Sequence, residues 1–492
     1  MFQNVTPESC GIESERILDF LQYLEDGGLV THSVLMAKDD KIFAEAYWAP
    51  FDKDFCHRMY SQTKSYVGIA VGLLVEEGKI SLDDKIYDYF KDELENPPSE
   101  YMQEQTVREM LTMTTATTKW DYWFTSKAKD RVQNYFAFNE AKKPSSTTWY
   151  YDSAGSQILG TLVERVTGKA LFDYLYEKVF CHLGTFKTAT ILKARGGDSW
   201  ADSALVCTTR DMASFARLLM HGGTVDGKYI LSADYVKEAT SPLRDNCETG
   251  FENAIAQGYG YQIWSVKDGF AFLGMGNQDT IVLPGQGLIF TITSDNQGFA
   301  ASRQLIFQGY RHLVAKHVKD APLPENPEAY KKLTDYIKGL KLRAISGKKS
   351  VPFEKEIEGK EFFAEVNSLG IEKFSLHFDG ENGGELRYTN KTGAKVLPFK
   401  MCENNFTSFP EEGYSDGMGG VYTKGFFYKC AVSAAWKEEK KLRLIVRIID
   451  RYFGNLCIDI AFRNSDLAVF KATKTAEDFL NEYQGEFVAH AK

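Results

Sequence analysis

The chain lacks a long apolar run, and it also lacks a cluster of basic residues. Its longest apolar stretch follows Lys64 and is far shorter than the ~20 residues that cross a bilayer, so we expect no membrane partner. The net charge is −9 with no basic block, which argues against nucleic acid as a partner. Residues 1–8 show neither the basic region nor the apolar stretch of a secretory signal, and we therefore expect a cytoplasmic protein.

The cysteines form no Cys-x-x-Cys pair and have no neighbouring histidine cluster, which argues against a metal site. The eight cysteines are Cys10, Cys56, Cys181, Cys207, Cys247, Cys402, Cys430 and Cys457. In a long chain without a signal we expect them to be buried thiols in a reducing cytosol. The sequence therefore predicts neither a metal nor another cofactor.

Three kinds of sequence pattern follow one another and predict a mixed α/β protein with a second, all-β domain. Residues 1–320 carry strand patterns at both ends and helical patterns between them, which predict an antiparallel sheet flanked by helices, with an inserted all-helical lobe. Residues 321–350 contain three closely spaced prolines and a lysine-rich stretch, and we expect a linker with a short helix. Residues 351–492 show short alternating strands separated by Gly and Asn turns. This pattern predicts an antiparallel barrel or sandwich, which we describe as barrel-like.

A serine and a lysine three residues apart, Ser61 and Lys64, stand at the start of an apolar helix. Apolar side chains from Val67 to Val75 occupy nearly every face, so we expect this helix to be buried. Residues i and i+3 share one face, which places the hydroxyl and the amine side by side. A serine becomes a good nucleophile when a neighbouring base takes its proton, and burial favours the neutral amine that can do so. The alternative is a serine that caps the helix beside a lysine at the surface.

Several stretches, in order along the chain, resemble the serine β-lactamase-like family, which includes class C β-lactamases, DD-peptidases, D-aminopeptidases, related esterases and 6-aminohexanoate oligomer hydrolases. The stretches are residues 33–47, Tyr60-Ser61-Gln62-Thr63-Lys64-Ser65, residues 77–84, Leu111-Thr112-Met113-Thr114, Tyr151-Asp152-Ser153, residues 209–213 and Gly274-Met275-Gly276-Asn277-Gln278. The resemblance covers roughly the first two thirds of the chain. It implies the β-lactamase/transpeptidase-like fold, with Ser61 as nucleophile and Lys64 as its base.

The second motif of this family, Tyr-x-Asn, has its counterpart in Tyr151-Asp152-Ser153. The resemblance implies that Tyr151 is a general acid and base that relays protons between the serine and the leaving group. The alternative is a core aromatic residue, since Trp149 and Tyr150 precede it. Ser153 stands where the family usually has Asn, and a hydroxyl cannot make the two-sided contact of an amide.

The third motif of the family, Lys-Thr-Gly or His-x-Gly on a strand, has two candidates. A literal Lys391-Thr392-Gly393 lies beyond the linker in the barrel-like domain, and we reject it for that reason. Gly274-Met275-Gly276-Asn277-Gln278 has the expected position before a long strand and a closing helix. Met275 then replaces the usual Lys or His, so a substrate carboxylate loses its ordinary partner.

Further groups of the site are implied by the family's register. The backbone amides of Ser61 and Gln278 are the expected donors to the oxyanion. The side chains expected to contact substrate are Ser153, Met275, Asn277, Trp120, Tyr122 and Trp123. The three aromatic residues lie where relatives carry a substrate-covering loop and suit an apolar acyl group or a flat ring, with ordinary packing as the alternative.

These residues together predict a serine hydrolase that cleaves a small-molecule ester or amide through an acyl-enzyme on Ser61. One alternative is an acyltransferase that passes the same acyl group to an alcohol or amine. Another is a non-catalytic, penicillin-binding-like sensor. The departure at Met275 weighs most against β-lactamase and carboxypeptidase activity, and the altered Ser153 and Met275 together are what the sensor alternative would show.

Overall fold

A computed structural model describes residues 2–117, 131–137, 143–194, 196–246, 255–380, 382–414, 422–450, 453–476 and 483–492. The chain divides into two compact units, Met1–Lys341 and Leu342–Lys492. The helix Pro327–Lys338, within the stretch expected to be a linker, belongs to the first unit and buries Leu333 in its core.

A seven-stranded sheet forms the centre of the first unit, in the order β1-β3-β2-β12-β11-β10-β9. The strands of this unit are β1 (Gln3–Asn4), β2 (Thr31–Lys38), β3 (Lys41–Tyr47), β4 (His57–Arg58), β5 (Thr190–Ile191), β6 (Leu205–Cys207), β7 (Thr224–Val225), β8 (Lys228–Tyr229), β9 (Trp264–Val266), β10 (Gly269–Gly274), β11 (Gln278–Leu283) and β12 (Leu288–Ser294). Neighbouring strands of the sheet are antiparallel except β1 and β3. The central strands β2 and β12 are buried almost throughout, which fits a sheet covered on both faces.

Helices pack on both faces of this sheet. The described α-helices of the unit are Ser14–Asp26, Thr63–Glu76, Glu100–Gln103, Val107–Leu111, Arg131–Ala137, Ser153–Thr167, Leu171–Leu175, Cys181–Leu183, Thr209–Met220, Ala233–Ala239, Ser302–Gly309 and Pro327–Lys338. On one face, Phe20 of the first helix meets Phe290 of β12 with ring centroids 5.7 Å apart. On the other face, Phe215 of Thr209–Met220 meets Phe272 of β10 at 5.5 Å. Side chains that alternate along the strands thus enter two different helix–sheet interfaces.

Most of the described helices between β4 and β9 form the inserted lobe. Its central helix, Thr63–Glu76, is buried from Thr63 to Leu74 and packs against Ser153–Thr167. In the helix Ser153–Thr167, a Cβ at Gly160 would lie 2.1 Å from the Cβ of Ala201. Only glycine at this position therefore lets the helix lie so close to Ala201. No helix in the described parts of the chain has both the length and the apolar character needed to cross a membrane.

The second unit contains a closed nine-stranded barrel. The described strands of this unit are the nine of the barrel and β17, which lies outside it: β13 (Phe362–Ala364), β14 (Ile371–Phe378), β15 (Gly383–Asn390), β16 (Gly393–Met401), β17 (Asn405–Tyr414), β18 (Tyr422–Glu438), β19 (Lys441–Ile449), β20 (Phe453–Asn464), β21 (Leu467–Ala476) and β22 (Gly485–Ala491). A short parallel pairing of β16 with β18 closes the ring, and β17 pairs along β18 outside that closure. Burial alternates along β19, because every second side chain of a barrel strand points inward. The predicted fold class, a mixed α/β unit followed by an all-β barrel-like unit, is confirmed.

Candidate active site

Ser61 lies in a short 3-10 turn, Tyr60–Gln62, that leads directly into the helix Thr63–Glu76. The preceding residue, Tyr60, has a φ of 48°, in the left-handed region that a bulky side chain rarely adopts. Such strain persists where the surroundings hold it, and Tyr60 is fully enclosed with Arg58 4.5 Å above its ring. Ser61 itself is only partly buried. The strained turn therefore presents a serine that a substrate can reach.

Lys64 is buried directly beside this serine. Its exposed fraction is 1%, and its Nζ lies 3.0 Å from Ser61 Oγ. Nζ also donates to the backbone carbonyl of Asp202 at 2.7 Å and lies 5.2 Å from the centroid of the Tyr151 ring. These contacts contradict the alternative of a surface lysine. The serine and the lysine are at a distance that allows direct proton transfer.

The segment that supplies the carbonyl to Lys64 is held by two buried arginines. Arg58 and Arg131 lie 4.2 Å and 5.5 Å from the ring of Trp200. Arg58 donates to the carbonyl and the hydroxyl of Ser203 at 3.0 Å and 2.9 Å. Arg131 pairs with the carboxylate of Asp202 at 3.9 Å. These contacts hold Trp200, Asp202 and Ser203 in place. The Asp202 carbonyl is therefore fixed, and so is the Lys64 amine that donates to it.

Tyr151 is half-buried and packs within an aromatic cluster. Its ring stacks on Trp264 with centroids 5.5 Å apart and an interplanar angle of 26°. Trp149 and Tyr259 complete the cluster, each with its ring centroid within 6 Å of Trp264. This packing fixes the plane of the Tyr151 ring, which lies beside the Lys64 amine.

Asp152 caps the helix that begins at Ser153. Its two carboxylate oxygens accept from the Gly155 backbone and from the Thr115 hydroxyl, each at 2.9 Å. Burial raises the pKa of the Asp152 carboxyl, although these hydrogen bonds act in the opposite direction. The cap fixes the point where the chain enters the helix, so it also fixes Tyr151 just before it. Ser153 is partly buried at the first position of the helix.

The turn between β10 and β11 carries the candidate third motif. Met275 is 39% exposed, whereas Asn277 is 2% exposed with a φ of 69°. The Asn277 side chain donates to Asp279 at 3.2 Å and accepts from Asn296 at 3.0 Å. Gln278, which begins β11, is buried. Two of the side chains expected to contact substrate lie in this turn: Met275 is exposed, whereas Asn277 is buried and hydrogen-bonded within the protein.

An ion pair between the buried Asp279 and the half-buried Arg303 supports this turn. Arg303 donates to both oxygens of Asp279, at 3.0 Å and 3.1 Å, and to the carbonyl of Gly274 at 2.7 Å. The Gly274 backbone donates in turn to Asp279 at 3.2 Å. A Cβ at Gly274 would lie 2.2 Å from the carbonyl oxygen of Met59. The turn therefore lies directly against the segment that carries Ser61, and it can do so because residue 274 is glycine.

Three parts of this site were not predicted from the sequence: the carbonyl of Asp202, the ring of Trp264 and the Asp279–Arg303 pair. A backbone carbonyl leaves no signal in a sequence. Asp279, in contrast, is an acidic residue close to the apolar run Ile281–Leu283, and this signal indicates a buried carboxylate that needs a partner. The predicted Trp120, Tyr122 and Trp123 lie outside the described residues.

The rejected Lys391-Thr392-Gly393 lies in the second unit, where Thr392 and neighbouring side chains are hydrogen-bonded to Glu411. Tyr388, Asn390 and Thr392 all donate to the buried carboxylate of Glu411, at 2.9 Å, 2.7 Å and 3.2 Å. Lys395 pairs with the same carboxylate at 3.3 Å. These side chains satisfy a buried charge of the barrel. Within the described residues, no three His, Cys, Asp or Glu side chains are grouped so that they could hold a metal ion.

Comparison with known proteins gives a consistent family. A 6-aminohexanoate-dimer hydrolase from Paenarthrobacter ureafaciens is 26% identical over 292 residues, covering 56% of this chain and 72% of that protein. An uncharacterized protein from Alkalihalophilus pseudofirmus is 24% identical over 262 residues, covering 48% of this chain and 70% of that protein. The solved structure of a proposed 6-aminohexanoate-dimer hydrolase from Bacillus anthracis shares the fold, with a TM-score of 0.54 and 19% identity over 65% of this chain and 89% of that one. Residues 19–314, more than half of the chain and including Ser61, Lys64 and Tyr151, match the Beta-lactamase family, and the chain therefore belongs to it.

Proposed function

We propose that the protein is a serine hydrolase that cleaves an ester or amide bond through an acyl-enzyme on Ser61. The observation that carries this proposal is the 3.0 Å contact between Ser61 Oγ and the buried Nζ of Lys64. Membership of the β-lactamase family and similarity to a protein named as a hydrolase support it. An amine at this distance and shielded from water can accept the serine proton during attack.

In the acylation step, Ser61 Oγ bonds to the substrate carbonyl carbon while its proton passes to the amine of Lys64. The carbonyl π electrons move onto oxygen, and the backbone N–H groups of Ser61 and Gln278 donate to it, each contributing about 3 kcal/mol. The intermediate then expels the alcohol or amine, which takes the proton from Lys64 by way of Tyr151. Water attacks the acyl-enzyme, the same groups take and return its proton, and Ser61 is regenerated.

We propose that the preferred substrates are uncharged where they meet Met275. A thioether carries no charge and donates no hydrogen bond, so it cannot hold a carboxylate as Lys or His would. The exposed position of Met275 makes it available for apolar contact. The name of the Paenarthrobacter relative makes the 6-aminohexanoate dimer one amide to test on this chain.

The nucleophile assignment is tested by labelling with a fluorophosphonate. Wild-type protein should become labelled and hydrolyse activated esters, and Ser61→Ala should do neither. Ser65→Ala is the matched control, because Ser65 lies on the same helix but donates to the Gln262 carbonyl at 2.8 Å. Labelling of Ser61→Ala at the wild-type rate would remove the assignment. Failure of every activated ester to acylate Ser61 would favour a non-catalytic, penicillin-binding-like sensor.

Acyl transfer is a second candidate, and the aromatic packing of Trp149, Tyr151 and Trp264 favours it. The Tyr151 ring lies beside the Lys64 amine and packs against Trp149 and Trp264, and apolar rings near a reacting group limit its access to water. Product analysis with and without an added alcohol or amine separates the two functions. If transfer to the acceptor dominates over hydrolysis at modest acceptor concentration, acyltransferase becomes the better assignment.

A further inference from the structure

Gln62, the residue that follows the nucleophile, is a fully buried amide whose polar atoms are all engaged. Its Nε2 donates to the Gln278 carbonyl at 3.0 Å, to the Thr280 hydroxyl at 3.2 Å and to the Phe272 carbonyl at 3.3 Å. Its Oε1 accepts from Tyr66 at 3.4 Å. Burial of an amide costs free energy unless its polar atoms are hydrogen-bonded, and the partners of Gln62 meet this need. These contacts therefore fix the position of the Gln62 side chain.

The bond to Gln278 joins the two sides of the proposed oxyanion site. The N–H of Ser61 is one expected donor, and the N–H of Gln278 is the other. Gln62 is covalently next to the first donor and hydrogen-bonded to the carbonyl of the residue that supplies the second. Because the carbonyl and the N–H of Gln278 belong to one residue of a strand, holding the carbonyl restricts where the N–H lies.

The other middle residue of the Ser-x-x-Lys motif anchors the opposite flank. The hydroxyl of Thr63 accepts from the Leu205 backbone at 3.0 Å, close to Asp202, whose carbonyl binds Lys64. Thr63 therefore ties the start of the helix to the segment that holds the base. Gln62 ties the same point to the strand that carries the oxyanion donor.

We infer that Gln62 is a positioning residue that sets the separation of the Ser61 and Gln278 backbone amides. This inference rests on the proposed acyl-enzyme function. Donors to an oxyanion must lie about 2.7–3.1 Å from the oxygen in the transition state, and a misplacement of about 1 Å can cost about 100-fold in rate. Gln62 is enclosed in the protein, so its loss should weaken binding of the transition state and leave binding of the ground state unchanged.

The test compares Gln62→Met, which keeps the length of the side chain but removes both N–H groups, with wild type. The readouts are kcat/KM for p-nitrophenyl butyrate, the Kd of phenylboronic acid, whose serine adduct is tetrahedral, and the Kd of the unreactive p-nitrophenyl butyl ether. We expect kcat/KM and affinity for the boronic acid to fall together by about 10- to 100-fold, with ether affinity unchanged. Gln62→Asn is too short to reach the Gln278 carbonyl, and it should show the same loss.

The matched control is Gln286→Met at the far end of the β11–β12 hairpin, where Gln286 donates to the Ala315 carbonyl at 3.0 Å. This variant should keep wild-type kinetics. Wild-type values in both Gln62 variants of an active enzyme would overturn the inference alone, and so would a loss of kcat/KM with unchanged affinity for the boronic acid. A wild-type protein that neither hydrolyses esters nor reacts with a fluorophosphonate at Ser61 would overturn the proposed function itself.

Discussion

Burial of one histidine predicts that the first unit loses stability as the pH falls below neutrality. His57 is 1% exposed, and burial lowers its pKa from 6.5 to about 3, against a smaller opposing effect of a hydrogen bond with the Phe55 backbone. Its Nε2 lies 3.2 Å from His32 Nδ1 and 3.3 Å from the Thr293 hydroxyl. The rings of Phe51 and Phe55 pack against it. The folded environment therefore favours the neutral imidazole.

The sign and size of the effect follow from these two pKa values. The unfolded chain binds a proton at His57 below a pH of about 6.5, whereas the folded chain stays neutral there until about pH 3. The unfolded state binds more protons between these limits, so the free energy of unfolding falls as the pH falls. The loss from this residue is about 2 kcal/mol between pH 7 and pH 5, and it approaches about 5 kcal/mol below pH 3.

The assay is urea unfolding at pH 7 and pH 5, followed by tryptophan fluorescence. Six of the seven tryptophans, all but Trp436, belong to the first unit, so the signal reports mainly on it. In His57→Gln the fall in unfolding free energy between the two pH values should be smaller than in wild type by about 2 kcal/mol. His490→Gln removes an exposed histidine of the second unit and should keep the wild-type pH dependence. Equal pH dependence in wild type and His57→Gln would refute the reasoning.

Three further substitutions test separate parts of the account. Gly274→Ala places a Cβ 2.2 Å from the Met59 carbonyl oxygen, so the turn must move by about 1 Å. Ester kcat/KM should then fall about 100-fold. Wild-type activity would show that the close approach of the turn to Met59 is not needed. Tyr151→Phe keeps the stacking on Trp264 but removes the hydroxyl, so kcat/KM should fall by about 10²- to 10⁴-fold with little change in Tm; unchanged turnover would exclude the relay. Thr392→Val should destabilise the barrel by about 1 kcal/mol in denaturant unfolding and leave ester hydrolysis unchanged; lost activity with an intact fold would reopen the rejected motif.

The nucleophile and its base could be predicted from the sequence because their relation is local. Ser61 and Lys64 are separated by less than one helical turn, so the helix alone brings them together. The apolar residues that follow indicated burial, and Lys64 is 1% exposed. The resemblance to the family drew attention to Tyr151, and the structure places its ring 5.2 Å from the lysine amine.

The groups that support this pair depend on contacts that local patterns do not reveal. The bond between Gln62 and Gln278 spans 216 residues. The side chain of Asn277 points into the protein, and its backbone φ is 69°. The two glycines in the same turn did not allow this orientation to be predicted from the sequence. In the second unit, alternation predicted the strands, but closure of the barrel rests on the short pairing of β16 with β18. Alternation fixes which side of a strand is buried, and it does not identify the neighbouring strand.

The central claim, that Lys64 takes the proton from Ser61, is tested most directly by quenched-flow mass spectrometry of the intact protein mixed with p-nitrophenyl butyrate. In wild type the butyryl mass should appear within the first turnover and map to the peptide that contains Ser61. In a folded Lys64→Met variant the same adduct should form at least about 100-fold more slowly, because the hydroxyl has lost its base. An adduct on a different residue, or acylation of Lys64→Met at the wild-type rate, would contradict the account.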